Sequence, residues 1–564
     1  MRRSVETFER RLAALGIAAP PAGGAGAAGE AGAAGAAGGA GAAGAAGGAG
    51  AAGAAGDAGA AGAAGGASAA GAAGAAAGDY VDARLLASAI GRVRFELDVV
   101  PLWRRDPWFY LDQSVGTVFE ALLRPPPFGE ERLEELWGLL DSFAATLQAG
   151  RENLAGNVSL ELAGIARAVA PGAGRNLTEA LEALAPDLAS PAAARLRHAA
   201  AAAAGELDAY ASWLEAEAAH AHPLGAPGRD VLERYLYDVA LVGRTPEELL
   251  DAGRRELDRA MAFELFELHR CPDATWPPLP ASAEAQCEAE AAAELEVRRF
   301  YEGHRLLSQP AGLRHYLNSP LPGWLAPLRW LGVTDDLTGP SRLDEDGVSY
   351  VPPPAPDLPY FYRANAADPR AGIVHEGAHY QQLALTWAHP RPARRFFYDS
   401  CPNEGIAFYN EEMLLQAGLF DDAPITRRIM CSFLRLRALR VEVDLRLALG
   451  EWSISEGGEV LASRVPMDRG TAFDEAAFFA STPFQGSSYL AGKVDLLALL
   501  ADARLAGGEG FELQAFHDAL WKNGNVPFSL QRLELLGDAS QLARVDELRA
   551  KLDLAAPLVS PVPR

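Results

Sequence analysis

The chain has 564 residues, with 50 basic against 74 acidic side chains and a formal charge of −24 at neutral pH. The acids are spread through helical segments rather than gathered in a tail, which argues against nucleic acid and anionic membrane as partners, since both are bound through basic patches. Cys271, Cys287, Cys401 and Cys431 are widely spaced and form no C-x-x-C pair, so they fit free thiols in a reducing compartment rather than a disulfide framework.

The chain begins Met1-Arg2-Arg3, but Ser4 to Leu15 carries Glu6, Glu9, Arg10 and Arg11 where a secretion signal needs an uninterrupted apolar run. Residues 1–19 therefore read as a short helix. No run of about 18 strongly apolar residues follows, and the expectation is a soluble, cytoplasmic protein. Residues 20–78 are almost entirely Ala and Gly in a Gly-Ala-Ala rhythm, broken by Glu30, Asp57 and Ser68. A period of three invites a collagen reading. Proline is absent after Pro21, however, and the glycine spacing slips to Gly-Gly, so that reading fails. With hardly a side chain to bury, the segment cannot offset its conformational entropy and is expected to be a flexible, disordered linker.

Residues 79–564 read as one helical domain. Apolar positions three and four apart recur in Leu133-Leu136-Trp137-Leu140, Leu232-Tyr235-Leu236-Val239 and Leu249-Leu250-Leu257-Met261-Leu265, marking faces buried against other helices. Thr245-Pro246-Glu247-Glu248 starts a helix: Thr caps it, Pro takes the first turn, and the acids suit the positive end of the macrodipole. Strand signals are few. Val348 to Val351, a proline break and then Tyr360-Phe361-Tyr362-Arg363 predict a small sheet or hairpin just ahead of the chain's most specific motif. The fold class is otherwise all-α.

That motif is His375-Glu376-Gly377-Ala378-His379, an H-E-x-x-H pentapeptide in a helical stretch. Residues four apart share a helix face, so both imidazoles can reach one metal ion while Glu376 stands beside the metal's open position. Chance supplies on the order of 0.02 such matches in a chain of this composition. A catalytic zinc needs a third protein ligand and one open position. Glu404, in Asn403-Glu404-Gly405 at the expected start of a following helix, is the first choice, with Glu411 and Glu412 as competitors. One zinc ion held there lowers the pKa of a water from 15.7 toward about 7, and Glu376 is placed to take its proton and pass it to a leaving amine. An oxyanion donor, a Tyr or His, completes such a site.

The metal helix followed by a glutamate helix resembles the gluzincin peptidases, and the chain from Asp79 resembles the bacterial family known as domain of unknown function 885. Arg244-Thr245-Pro246-Glu247-Glu248-Leu249 with Gly253 is similar to that family's Thr-Pro-Glu-Glu-Leu helix start. Glu404-Gly405-Ile406-Ala407-Phe408-Tyr409-Asn410-Glu411 is similar to its Glu-Gly-Trp-Ala-x-Tyr-x-Glu block, and Arg440-Val441-Glu442-Val443-Asp444 to its arginine-to-aspartate helix. Pro483-Phe484-Gln485 through Tyr489, Gly492 and Lys493 resembles its Pro-Gly-Gln-x-x-x-Tyr-x-x-Gly-Lys segment. Phe516-His517-Asp518, Asn523-Gly524 and Pro527 match its closing block.

The chain also departs from the family. His379 follows at the plain H-E-x-x-H spacing, where the family usually inserts Pro-Gly. Ile406 stands for Trp and Phe484 for Gly, changes expected to bear on substrate preference. The resemblance implies His375, His379 and Glu404 as ligands, Glu376 as base and Tyr489 as oxyanion donor. Lys493 and Arg440 could pair with a peptide's terminal carboxylate, although an ion pair to Asp444 or Glu442 would explain Arg440 equally well. His517 is a further substrate-side residue or a buried core histidine, and Tyr362 would lie on a strand edge that receives an extended peptide. The expected function is zinc-dependent hydrolysis of short peptides in a cleft between two helical halves. The alternatives are a zinc hydrolase of other amides or esters and a helical binding protein with a degenerate site.

Overall fold

The computed structural model describes residues 2–15, 69–552, 554–559 and 561. Most of the expected linker, residues 20–68, lies outside the described residues. Helix α1 (Arg2–Ala14) buries Val5 and Leu12 and is tied by an Arg94–Glu9 ion pair to α2 (Ala69–Arg94), which takes in the last residues of the Ala/Gly-rich segment.

The chain is mostly helical, as expected, and organises two main apolar cores. The first lies among the N-terminal helices, where α3 (Leu160–Leu184) and α4 (Ser190–Glu217) pack along each other. Leu136, Trp137 and Leu140 of the predicted stripe join Phe143, Leu177, Leu207 and Tyr210 there. Such burial contributes roughly 1.5–3 kcal/mol per large side chain. The second and larger core gathers residues of α2 and of the helices from α5 (Pro246–Arg270) and α6 (Ala283–Gly303) onward.

Helix α5 starts as predicted. The Thr245 hydroxyl accepts from the Glu248 N–H at 3.3 Å, and the Glu248 carboxylate accepts from the Thr245 N–H at 2.7 Å. The apolar stripe along α5 is buried only in its first half, because Met261 and Leu265 are exposed. Ion pairs Glu264–Arg435 and Glu267–Arg427 hold this second half instead.

The expected β element is a three-stranded sheet of β1 (Tyr316–Pro320), β2 (Asp335–Asp336) and β3 (Gly347–Val351), ordered β1-β3-β2. β1 runs parallel to β3 with Tyr316 opposite Gly347, and β2 runs antiparallel with Asp335 opposite Ser349 and Asp336 opposite Val348. Side chains alternate across a sheet, so its two faces do different work. Val348 and Tyr350 point into the first core. Tyr316, Gly347, Ser349 and Asp335 share the opposite face, turned to the metal motif. A Cβ on Gly347 would come within 2.8 Å of the Tyr380 ring, so glycine permits that approach.

Tyr360–Arg363 is not a strand. It opens helix α7 (Tyr360–Ala367), with Pro359 at its N-cap. The aromatic pattern that mimics a strand serves packing instead, because the Tyr360 and Phe361 rings each lie 5.4 Å from that of Phe433.

The motif follows in a π turn (Ile373–Gly377) that runs into α8 (Ala378–Trp387). Behind it lie α9 (Ser400–Ala417), α10 (Pro424–Ala448), α11 (Arg469–Ser481), α12 (Gln485–Gly507) and α13 (Leu513–Asn523). The crossing of α9 and α12 is the closest of these. A Cβ on Gly492 would fall 2.0 Å from the Cys401 carbonyl oxygen, and one on Gly405 would fall 2.6 Å from the Gly492 Cα. The glycine beside Glu404 thus lets α12 approach and bring Tyr489 to the same place.

Both departures from the family blocks prove to be core residues. Ile406 is fully buried, and Phe484 is 2% exposed, its ring 5.8 Å from that of Tyr235. Phe484 has φ 76°, a left-handed conformation that glycine adopts freely and phenylalanine only at a cost of about 1–3 kcal/mol. Its buried ring offsets that cost, and the Asp444 carboxylate accepts the N–H groups of Phe484 at 3.0 Å and Ser487 at 2.7 Å, capping α12. These substitutions therefore bear on packing rather than on direct substrate contact.

Candidate metal centre

His375 lies in the π turn and His379 in the first turn of α8. π turns recur at functional sites because the extra residue re-aims side chains. Glu404 comes from the second turn of α9, which begins at Ser400 with Asp399 as cap, slightly earlier than predicted. The three residues form a buried cluster with a ligand atom of each inside one small sphere, and it is the one such cluster found among the described residues.

The two Nε2 atoms are 3.3 Å apart, and the Glu404 Oε2 lies 3.5 Å from that of His375 and 3.3 Å from that of His379. Ligands bonded tetrahedrally to zinc at about 2.0–2.1 Å stand roughly 3.3–3.4 Å from one another. The observed triangle has those edges. Glu404 is 1% exposed, and neither of its oxygens has a hydrogen bond of regular geometry. A buried carboxylate left in that state costs several kcal/mol unless a cation takes it up. Two imidazoles and one carboxylate suit a catalytic zinc, which leaves its fourth position to water or substrate.

Glu411 is not a ligand but the support behind one. Its Oε1 lies 2.7 Å from the His375 Nδ1, and the Arg437 guanidinium lies 3.3 Å from the same nitrogen, so both groups face the side of the ring away from the triangle. The Arg437 guanidinium, 2.7 Å from the same oxygen, balances the charge. Glu412 is not a ligand either, being paired with Arg259 and Lys493. Burial and Arg437 oppose protonation of His375, but Glu404 and Glu411 outweigh them and lift its pKa to about 9. Burial raises the Glu404 pKa, and the two histidines more than reverse it, holding the carboxyl ionised.

Tyr489 reaches the site from α12. Its ring is stacked near-parallel to the His375 imidazole at 6.2 Å, with the guanidinium of Arg440 at 4.8 Å and that of Arg437 at 5.6 Å from its centroid. Burial first, and then the charge of Glu404, push the phenol pKa well up, so the group stays protonated and able to donate. Arg440 pairs with Glu475 at 3.0 Å, not with Asp444 or Glu442. Tyr398, just ahead of the α9 cap, also feels the Glu404 charge; nothing in its local sequence marks it.

Three expected substrate-side residues are placed otherwise. Lys493 is 1% exposed, its ammonium 2.7 Å from Glu256, also paired with Glu412, and lying over the Phe408 ring. It is fully engaged within the helix packing and cannot meet a peptide carboxylate. His517 is fully buried, its Nδ1 2.6 Å from the Leu306 carbonyl and its Nε2 2.7 Å from the Tyr409 hydroxyl, so it is the core histidine of the two readings. Tyr362 lies on a helix rather than a strand edge, yet it is near the site. Burial and the charges of Asp335 and Glu376 raise its pKa.

Asp335, Tyr316 and Arg437, like Tyr398, are residues the sequence analysis missed. Asp335 carries no motif; only its position on a short strand ahead of the metal helix could have pointed to it. Burial, then the nearby charge of Glu376, raise its pKa to about 7.

Residues 336–534 match the model of a family described as a bacterial protein of unknown function (DUF885). The match spans the metal triad, Glu376, Glu411, Arg437 and Tyr489. No curated protein matches the chain. Among solved structures, the chain is similar to a candidate lipoprotein of unknown function from Shewanella oneidensis, at 16% identity and a TM-score of 0.63, covering 82% of this chain and 88% of that one. It is also similar to a candidate lipoprotein from Colwellia psychrerythraea, at 16% identity and a TM-score of 0.58, covering 73% of this chain and 76% of that one. These likenesses concern the fold. Among the described residues, no helix is long and apolar enough to cross a membrane.

Proposed function

We propose that this chain is a zinc-dependent peptidase of short peptides, with His375, His379 and Glu404 as ligands. The observation that carries the proposal is the triangle of ligand atoms at 3.3–3.5 Å around a buried carboxylate with no regular hydrogen bond. Bound zinc would supply a nucleophile at neutral pH and polarise the scissile carbonyl.

The chain's own groups supply the rest. Glu376, half-buried beside the triad, accepts the proton of the attacking water and returns it to the leaving amine. Tyr489, kept protonated, donates a hydrogen bond to the developing oxyanion. Glu411 and Arg437 hold the His375 ring in register. The test is hydrolysis of a panel of di- and tripeptides by purified protein, before and after chelation and after zinc is restored. Turnover that falls on chelation and returns with zinc supports the reading. Turnover indifferent to the chelator, or confined to non-peptide amides and esters, contradicts it.

A further inference from the structure

A second acid faces the metal motif from the sheet. The two residues of β2 point to opposite sides. Asp336 is held by Arg342 at 2.7 Å and 2.9 Å on the side of the first core. Asp335 points the other way, and no lysine or arginine among the described residues forms an ion pair with it. Its neighbours in charge are Glu376, which opposes its ionisation, and His379. Tyr316 and Ser349 share its face of the sheet. The Tyr316 side chain is 5% exposed, and its hydroxyl, directed at Asp335 and Ser349, has no hydrogen bond of regular geometry. The Tyr362 phenol, on α7, is acted on by the charges of Asp335, Arg329 and Glu376.

This face of the sheet therefore presents a carboxylate, a tyrosine hydroxyl and aromatic rings, and no lysine or arginine among the described residues pairs with that carboxylate. Its chemistry is that of an ammonium site, where charge-assisted hydrogen bonds to carboxylate and the faces of aromatic rings act together. The kind of ammonium follows from position. The ring of Tyr316, on the same face as Asp335, stacks at 5.9 Å on that of Tyr380, the residue after His379, so a cation held at Asp335 lies on the metal motif's side of the sheet, beside the carbonyl under attack. The α-amino group of the residue that contributes that carbonyl is one carbon away from it. A lysine side chain would carry its charge a four-carbon stem further.

Resting on the peptidase reading above, we infer that Asp335 and Tyr316 bind the free α-ammonium group of the substrate, so that the chain removes the N-terminal residue of short peptides. Water adds across the first amide bond; one free amino acid and a peptide shorter by one residue leave. Asp335 is thus a specificity-determining residue, and N-terminal acylation removes the charge it recognises.

The test uses trialanine and N-acetyl-trialanine. Binding is measured by calorimetry on the zinc-loaded full chain carrying Glu376→Gln, which separates recognition from turnover. Turnover is measured on the chain with Glu376 intact as released free alanine. The expected result is at least tenfold tighter binding of trialanine, falling below threefold when Asp335→Asn is added, with Asp335→Ser as a second variant and thermal melting and zinc content as checks on folding. Equal affinity for the two peptides, or a preference untouched in both Asp335 variants, would overturn the inference. Cleavage of both peptides at equal rates overturns it while leaving the peptidase reading intact. Preferential binding without any turnover leaves ammonium recognition standing and sinks the peptidase reading. No binding of either peptide overturns both.

Discussion

Glu411 and Glu412 are neighbours on α9, yet they enter two buried polar clusters of different kinds. Glu412 joins Lys493, Glu256 and Arg259, a network that ties α5, α9 and α12 together and in which each charge has an opposite partner. Glu411 joins His375, His379, Glu404 and Arg437, where the Glu404 oxygens have no regular hydrogen bond and two imidazole nitrogens crowd one carboxylate. The first cluster gives each charge a hydrogen-bonded partner and explains helix packing. The second balances its charge through Arg437 and His375, yet leaves both Glu404 oxygens without a regular hydrogen bond and sets three ligand atoms at zinc spacing. Burial and charge balance are common to both, so neither distinguishes a site from a staple; the spacing of the ligand atoms does.

The difference is broken most severely at Glu376. Glu376→Gln keeps the ligands and removes the base, so peptide turnover should fall roughly 10²–10⁴-fold with zinc content unchanged, checked by steady-state kinetics beside metal analysis. Unchanged turnover would remove Glu376 from the mechanism.

Next comes the first cluster. Lys493→Met leaves Glu256 and Glu412 sharing Arg259 alone, and breaking a buried pair costs about 3–5 kcal/mol. Denaturant unfolding should show that loss while the folded variant still binds zinc. If the variant instead kept its stability and lost peptide affinity, Lys493 would be a substrate residue after all.

A smaller effect is expected behind the ligand. Glu411→Gln removes the negative charge 2.7 Å from the His375 Nδ1, and zinc affinity measured by competition with a chelator should drop about 10–100-fold. An undiminished affinity would make Glu411 a bystander.

The last prediction concerns His517, away from the metal site, whose pKa burial lowers from an ordinary 6.5 to about 4. The unfolded chain takes up this proton first as the pH falls, so folding stability should decline as pH drops from 6.5 and stop declining below the folded value near 4. Urea midpoints across that window should fall less steeply in His517→Gln. An equal slope in both proteins would contradict the neutral, buried assignment.

Legibility in the sequence follows the same division. The helices, the capping box at Thr245 and the strand at Val348 to Val351 were readable because local periodicity and cap chemistry act within a few residues. Both histidines and Glu404 were nameable as ligand choices because zinc coordination imposes residue types and spacing. Tyr360–Arg363 misled because aromatic residues suit a strand and an aromatic cluster equally; only the position of Phe433 in space decides. Whether Glu411 or Glu412 belonged to the metal was open in sequence, since adjacent helical positions point about 100° apart and the packing of α10 and α12 selects between them. Arg437 and Asp335 act across long sequence separations and leave no local pattern. Lys493 looked functional because its segment resembles a family block, and nothing local signals that two glutamates from other helices will meet it.

The central claim is that the His375–His379–Glu404 triangle holds one zinc ion. Its most direct test is metal content by elemental analysis of the purified full chain beside Glu404→Ala, after each is exposed to equimolar zinc and desalted. The account predicts close to one zinc per chain in the unsubstituted protein and a large loss in Glu404→Ala. Equal zinc in the two proteins, or none in the first, would contradict it.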